Sequence, residues 1–178
     1  MENRDHIFTS FLEAEHARAM RLANASDILD LTPLDPQHYL AQFHCATFVT
    51  DDAGNPVKRT MTTTVGIFVP SNYLLEAPSP RTVLTCFEPH NHWHPNIHAP
   101  LICIGAIAKG ERLTDILYRT YEVISYQNYA TLEWDCLRPE VCSWARRHAE
   151  LFPADPRPLE RRPIDLQVVP VDDRENPS

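Results

Sequence analysis

An α+β domain is predicted, with an antiparallel β-meander flanked by an N-terminal helix and C-terminal helices. Three observations predict it. Apolar residues recur at helical spacing near both ends of the domain, β-branched and aromatic residues concentrate between them, and turn residues divide that middle region.

Residues 5–23 form the first predicted helix. Ile7, Phe8, Phe11, Leu12, Met20 and Leu22 fall near a 3.6-residue spacing, with Glu13, Glu15 and Arg18 at polar positions. A short strand follows over residues 27–32, ended by Pro33 and Pro36, and a longer one over 37–50. Asp51, Asp52, Gly54, Asn55 and Pro56 supply a turn. Further strands are predicted over 59–69 and 82–87, joined by a proline-bearing link. Residues 88–110 hold three prolines and four of the nine histidines, and read as an ordered, irregular segment of functional importance. A buried helix is predicted over 112–129, and Pro139 suits the first turn of a last helix reaching about residue 151. Trp93, Trp134 and Trp144 read as core or half-buried packing residues. Prolines recur after Phe152, and Asp172, Asp173 and Glu175 crowd the end. The expected organisation is one domain over 1–152 and a flexible, Pro-rich acidic tail, or an added binding element, over 153–178.

Composition narrows the function classes. A domain of about 150 residues buries roughly 68–70% of its unfolded surface and folds without disulfides or metals. No apolar run is long enough for a bilayer, and the charged start, Met1 to Asp5, lacks the apolar segment of a secretory signal. A soluble, cytoplasmic protein is expected. Five cysteines without a CxxC pair argue against a disulfide framework. A net charge of -8 argues against nucleic-acid binding, which needs a basic surface. Lys58 and Lys109 are the only lysines beside fourteen arginines, a scarcity that suits a protein handling lysine-reactive acyl groups and that high-GC coding bias also produces.

The informative stretch is His94-Pro95-Asn96-Ile97 followed by Leu101-Ile102-Cys103-Ile104. It resembles the signature of the ubiquitin-conjugating (E2) family, in which HPN and an aliphatic residue precede an aliphatic-Cys-aliphatic segment. The resemblance extends over roughly residues 5–152. Val69-Pro70-Ser71-Asn72-Tyr73 is similar to the family's FPxxYP element, and Ser79-Pro80 to its PP step. Asp135-Cys136-Leu137-Arg138-Pro139-Glu140 resembles the D-x-L-x-P-E segment that opens the penultimate helix. The resemblance implies a UBC-like fold and an E2-like transferase. Cys103 would take a ubiquitin-like modifier as a thioester from an E1-like activating enzyme and pass it to an amine acceptor. No cofactor on this chain is implied.

Residue chemistry gives each candidate an alternative role. Cys103 is either the acyl carrier, since thiol–thioester exchange needs a thiolate and no dedicated base, or a buried core cysteine. Asn96 either donates its side-chain NH2 to the oxyanion or pins the loop by hydrogen bonds to backbone. Asp135 either orients and deprotonates the acceptor amine or caps a helix. His90 and His92 either form a polar rim or cap a loop, or, since His90, His92 and His94 alternate and an extended segment would face three imidazoles one way, make a zinc site with His98 or Cys103.

Two departures from the family pattern refine the expectation. The segment from Asn96 to Cys103 is one residue short, and nothing near residues 104–113 matches the family's W-S/T-P loop, which grips RING-type ligases. Ile104-Gly105 resembles instead the standalone bacterial E2-like proteins, partners of E1-like and deubiquitinase-like proteins in operons several of which are linked to antiviral defence. The rival expectations are a noncatalytic UBC-like adaptor for a modifier or E1, and a histidine-based metal-binding protein. Presence of both Cys103 and Asn96 speaks against the adaptor.

Overall fold

Glu15 seats the first helix. The computed structural model describes residues 2–161, and α1 (Glu2–Asn24) turns Leu12, Glu15, Ala19 and Leu22 inward. The Glu15 Oε2 accepts the Leu113 N–H at 2.7 Å, at the first residue of a second long helix, numbered α3 below (Leu113–Ile124). Its other oxygen pairs with Arg18. The first amides of a helix have no partner within it and carry partial positive charge, so a buried carboxylate is stabilised there. Two expectations are corrected. Glu15 is buried, and Ile7, assigned to the apolar face, is 57% exposed because it lies about 100° around the helix from the inward stripe.

Four strands form one antiparallel sheet in the order β1-β2-β3-β4. They are β1 (Leu29–Pro33), β2 (His38–Thr50), β3 (Pro56–Phe68) and β4 (Leu84–Glu88). A short helix, α2 (Pro80–Val83), precedes β4 where the sequence predicted an earlier strand start. Tyr39, Ala41, Phe43 and Cys45 alternate inward from β2 and are buried with Leu117, Tyr121 and Ile124 of α3 in the main core.

The strand lengths are unequal, and that inequality places the rest of the chain. β1 pairs only with Tyr39 to Phe43, leaving the remaining edge of β2 to other partners. The Asp155 carboxylate accepts the Ala46 N–H at 2.9 Å, and Arg157 donates to the His44 carbonyl at 3.0 Å. Beyond them, the Trp93 N–H donates to the Phe48 carbonyl at 2.8 Å, and the Thr50 N–H to the Asn91 carbonyl at 2.9 Å. These edge groups thus find partners outside regular structure. Ala46 to Val49 are buried whichever way they point.

α3 stops at Ile124, short of the expected 129. The Gln127 N–H reaches the Glu122 carbonyl at 2.8 Å and the Tyr126 N–H reaches that of Val123 at 3.1 Å. This paired closure requires a left-handed residue, and Tyr126 takes that place with φ 58°. A second cluster gathers Phe48, Tyr126, Ala145 and Ala154 with the partly buried Trp93, Tyr129, Trp144 and Phe152. The last helix, α4 (Pro139–Arg147), is followed by a 3-10 turn at Ala149–Leu151.

The packed body continues past residue 152, where the tail was expected to begin. Ala154, Asp155 and Leu159 are buried, and the Arg161 N–H donates to the Ala25 carbonyl at 2.9 Å. Ser26 Oγ–H donates to the Leu159 carbonyl. Residues 153–161 are therefore a strap across β2 and the end of α1; residues 162–178 of the expected tail lie outside the described residues. No described helix is long and apolar enough to cross a membrane.

Burial opposes ionisation of Asp155, but hydrogen bonds from Arg157 and from the Ala46 amide outweigh it and hold the carboxyl below its ordinary value. A depressed carboxyl stabilises the fold above the unfolded-state value of 3.8 and ceases to do so as pH falls through the folded value. Asp155→Asn should lower the unfolding free energy by about 2–4 kcal/mol at pH 7. Urea titrations should find that gap narrowed at pH 2.5. An equal gap at both pH values would refute the ion-pair account of the strap.

Candidate functional site

A two-stranded hairpin brings Asn96 and Cys103 together. β5 (Ile97–His98) pairs with β6 (Leu101–Ile102), Ile97 opposite Ile102, and the ladder extends one step to a hydrogen bond from the Cys103 N–H to the Asn96 carbonyl at 2.9 Å. Ile97, Ile102 and Ile104 are buried, whereas Cys103 between them is only partly covered. Apolar neighbours thus anchor the hairpin while the thiol stays accessible. Cys45, Cys86 and Cys142 are buried, and burial pushes the Cys45 thiol up to about 12 and Cys86 up to about 11. These two resist becoming thiolates, the reactive form.

Asn96 is 9% exposed, and its two side-chain ends are treated differently. The Oδ1 accepts the Ala130 N–H at 2.7 Å, which fixes the amide plane. Among the described residues no acceptor is bonded to its NH2, which is left as a fixed donor. The Asn96 N–H in turn donates to His94 Nδ1 at 3.0 Å. An Nδ1 that accepts places the imidazole proton on Nε2.

His94 is fully buried with its ring 4.0 Å, centroid to centroid, from that of Tyr126. Burial and the neighbouring His92 push its pKa well below the usual value, although the Val123 backbone opposes the shift. The Tyr126 hydroxyl donates to the Trp93 carbonyl, gripping the same segment.

Asp135 is exposed in a 3-10 turn, Glu133–Asp135, and is not a helix cap, since Arg138 occupies that position before α4. The chain just after it is tied to the hairpin's approach. The Leu137 and Arg138 amides both donate to the Pro95 carbonyl, at 2.9 and 3.2 Å, and Arg138 Nη1 donates to the His92 carbonyl at 2.7 Å. The turn and the His94-Pro95-Asn96 segment therefore form one unit. Trp134 is 82% exposed, against the expectation of packing. Glu133 bonds Ser143 and Arg146 of α4, and the next side chain of a 3-10 turn points about 120° away, into solvent.

One supporting residue escaped the sequence reading. Arg119 of α3 donates to the carbonyls of Ile104, at 3.2 Å, and Ala106, at 2.8 Å, and pairs with Glu111, so it holds the loop that leaves Cys103. Gly105 between them has φ 85°, a conformation that strains other residues. Tyr73 Oη donates to the Glu111 carbonyl at 2.9 Å, which ties the Val69-Pro70-Ser71-Asn72-Tyr73 element to the same loop. Periodicity marks Arg119 as an ordinary polar helix position; its aim is set by tertiary packing.

The histidines do not converge. His90 and His98 are exposed, while His92 and His94 are buried. Among the described residues no group of three or more His, Cys, Asp or Glu side chains is placed to hold a metal ion. His92 is used in the core, its Nε2 3.3 Å from Thr63 Oγ1.

Comparisons with protein families, with curated proteins and with solved structures find no match to this chain.

Burial depresses the His92 pKa from 6.5 to about 4, so the unfolded chain takes up a proton that the folded one refuses. Stability should therefore decline as pH falls below 6.5 and go on declining to about 4, by roughly 3 kcal/mol from His92. Denaturant titrations from pH 7.5 to 4.5 should show the slope, flattened in His92→Gln. A wild-type curve level across that range would show that His92 titrates freely. The loop support is tested separately. Arg119→Ala should leave the melting midpoint within a few degrees while the Ala108 amide, bonded to the Arg119 partner Glu111, exchanges at least tenfold faster, each tenfold being about 1.4 kcal/mol. Unchanged exchange would remove Arg119 from its positioning role.

Proposed function

We propose that this chain is a UBC-like, E2-type conjugating enzyme that carries a ubiquitin-like modifier as a thioester on Cys103. The observation that carries the reading is the divided treatment of Asn96. Its carbonyl is held by the Ala130 amide, its NH2 stays unspent, and its own backbone is bonded to Cys103. A structural asparagine has no need to keep a donor free beside the one cysteine of this hairpin. A catalytic one does, because a preorganised donor favours the oxyanion over the planar thioester without reorganising.

The chemistry then runs in two exchanges. The Cys103 thiolate attacks the thioester of an E1-like enzyme, forming a new C–S bond and releasing the E1 thiol. An acceptor amine next attacks the Cys103 thioester, the Asn96 NH2 stabilises the tetrahedral oxyanion, and collapse yields an amide and the free Cys103 thiol. Asp135, two residues before the Leu137 amide that bonds Pro95, orients the amine and takes its proton. ATP is consumed at the E1, so the chain's own residues suffice for the transfer. Ile104-Gly105 and the missing W-S/T-P loop favour a bacterial, antiviral-type pathway that proceeds without a conventional RING ligase.

The test supplies E1, ubiquitin-like protein and ATP, and follows a reductant-sensitive adduct. Cys103→Ala should abolish the adduct. Asn96→Ala should still charge but discharge to free amine about 10²–10³-fold more slowly. Asp135→Ala should slow discharge chiefly at low pH, where deprotonating the amine limits the rate. If an E1 shown to be charged transfers nothing to Cys103, the adaptor reading takes its place.

A further inference from the structure

Two thiols with no part in that transfer sit under the turn that carries Asp135. Cys136 is half-buried and donates its S–H to the Glu133 carbonyl, with sulfur and oxygen 3.2 Å apart. Cys142, buried in α4, donates to the Ala130 carbonyl at 3.4 Å. The two acceptors are three residues apart, in the segment that runs into the Glu133–Asp135 turn, and both thiols bond that segment. Burial and the neighbouring Cys136 thiol raise the Cys142 pKa. Cys45 and Cys86 lie away from this pair, on β2 and β4 in the main core. Cys103 belongs to the hairpin.

We propose that Cys136 and Cys142 form a reversible disulfide that loosens the turn holding Asn96. Hydrogen peroxide is the simplest oxidant class. The Cys136 thiolate attacks one peroxide oxygen, the O–O bond breaks, and a sulfenic acid and water result once the released hydroxide takes up a proton. The Cys142 sulfur then attacks the Cys136 sulfur, the S–O bond breaks, and a second water leaves. Two thiols and one peroxide become one disulfide and two waters, with two electrons passing from sulfur to peroxide. Both S–H donors are used up, so the carbonyls of Ala130 and Glu133 lose those bonds. Ala130 is the residue whose amide fixes the Asn96 side chain, so the redox state of the pair reaches the candidate site through one residue, from its carbonyl to its N–H.

The test needs only the purified full chain, and its readouts do not depend on conjugation. After treatment with one equivalent of hydrogen peroxide and alkylation of remaining thiols, digestion at glutamate should give a dithiothreitol-reversible link between residues 134–140 and 141–150. The Ala130 amide should exchange about two- to fivefold faster in the linked form, the scale of losing a weak S–H bond. Cys136→Ser should lose the link and keep the fold, since that side chain is partly exposed. In Cys142→Ser, Cys136 should accumulate as a sulfenic acid trapped by dimedone. Oxidation that falls on Cys103 while Cys136 and Cys142 remain alkylatable would overturn the proposal. So would passage of wild-type Cys136 to the sulfinic acid without a link. A link that forms with Ala130 exchange unchanged would overturn the loosening.

Discussion

The backbone edge of β2 is the constraint from which the candidate site is suspended. β2 outruns β1, and its unpaired amides and carbonyls could neither be left dry nor exposed as a template for another chain. The chain meets this demand twice. The strap supplies Asp155 and Arg157 to the middle of the edge, and residues 91–93 supply backbone groups to its end. The second solution has a consequence for chemistry. Once residue 93 is locked to Phe48, His94, Pro95 and Asn96 follow at fixed positions, and the hairpin delivers Cys103 back to them.

Three buried polar side chains share one logic across the molecule. Glu15, Asp155 and Asn96 each accept a main-chain N–H from a distant segment, joining α1 to α3, the strap to β2, and the hairpin to Ala130. A buried acceptor without its donor is costly, so each such bond acts as a register mark that a purely apolar core lacks. Tyr126 does the corresponding work for aromatic packing. Left-handed conformation costs a bulky residue about 1–2 kcal/mol, and its ring is held against Phe48, His94, Tyr129 and Phe152. The strain is kept where the end of α3 meets the hairpin's approach.

Much of this was legible in the sequence, and the gaps have physical causes. Alternation along β2 and the 3.6-residue spacing in α3 announced the α+β layout because both elements bury one face against the same core. The His94-Pro95-Asn96 and Cys103 pairing was legible as a motif, although which end of the Asn96 amide is held was not, since that depends on Ala130, more than thirty residues on. Glu15 and Trp134 were misplaced for opposite reasons. A carboxylate is buried when a helix N-terminus meets it, and an indole is exposed when the adjoining carboxylate claims the protein side of a tight turn. The strap was hidden because its nine residues are largely proline and charge, and only Ala154 and Leu159 hint at burial.

The uneven placement of the three tryptophans gives the molecule a spectroscopic asymmetry. Trp93 and Trp144 pack edge to face, with ring centres 6.0 Å apart, inside the aromatic cluster, whereas Trp134 stands 82% exposed immediately before Asp135. An aqueous collisional quencher such as iodide will reach the third indole and largely spare the other two. The quenchable fraction of the emission is therefore a local signal from the turn, readable without a label, and any molecule that settles over that turn will shield it.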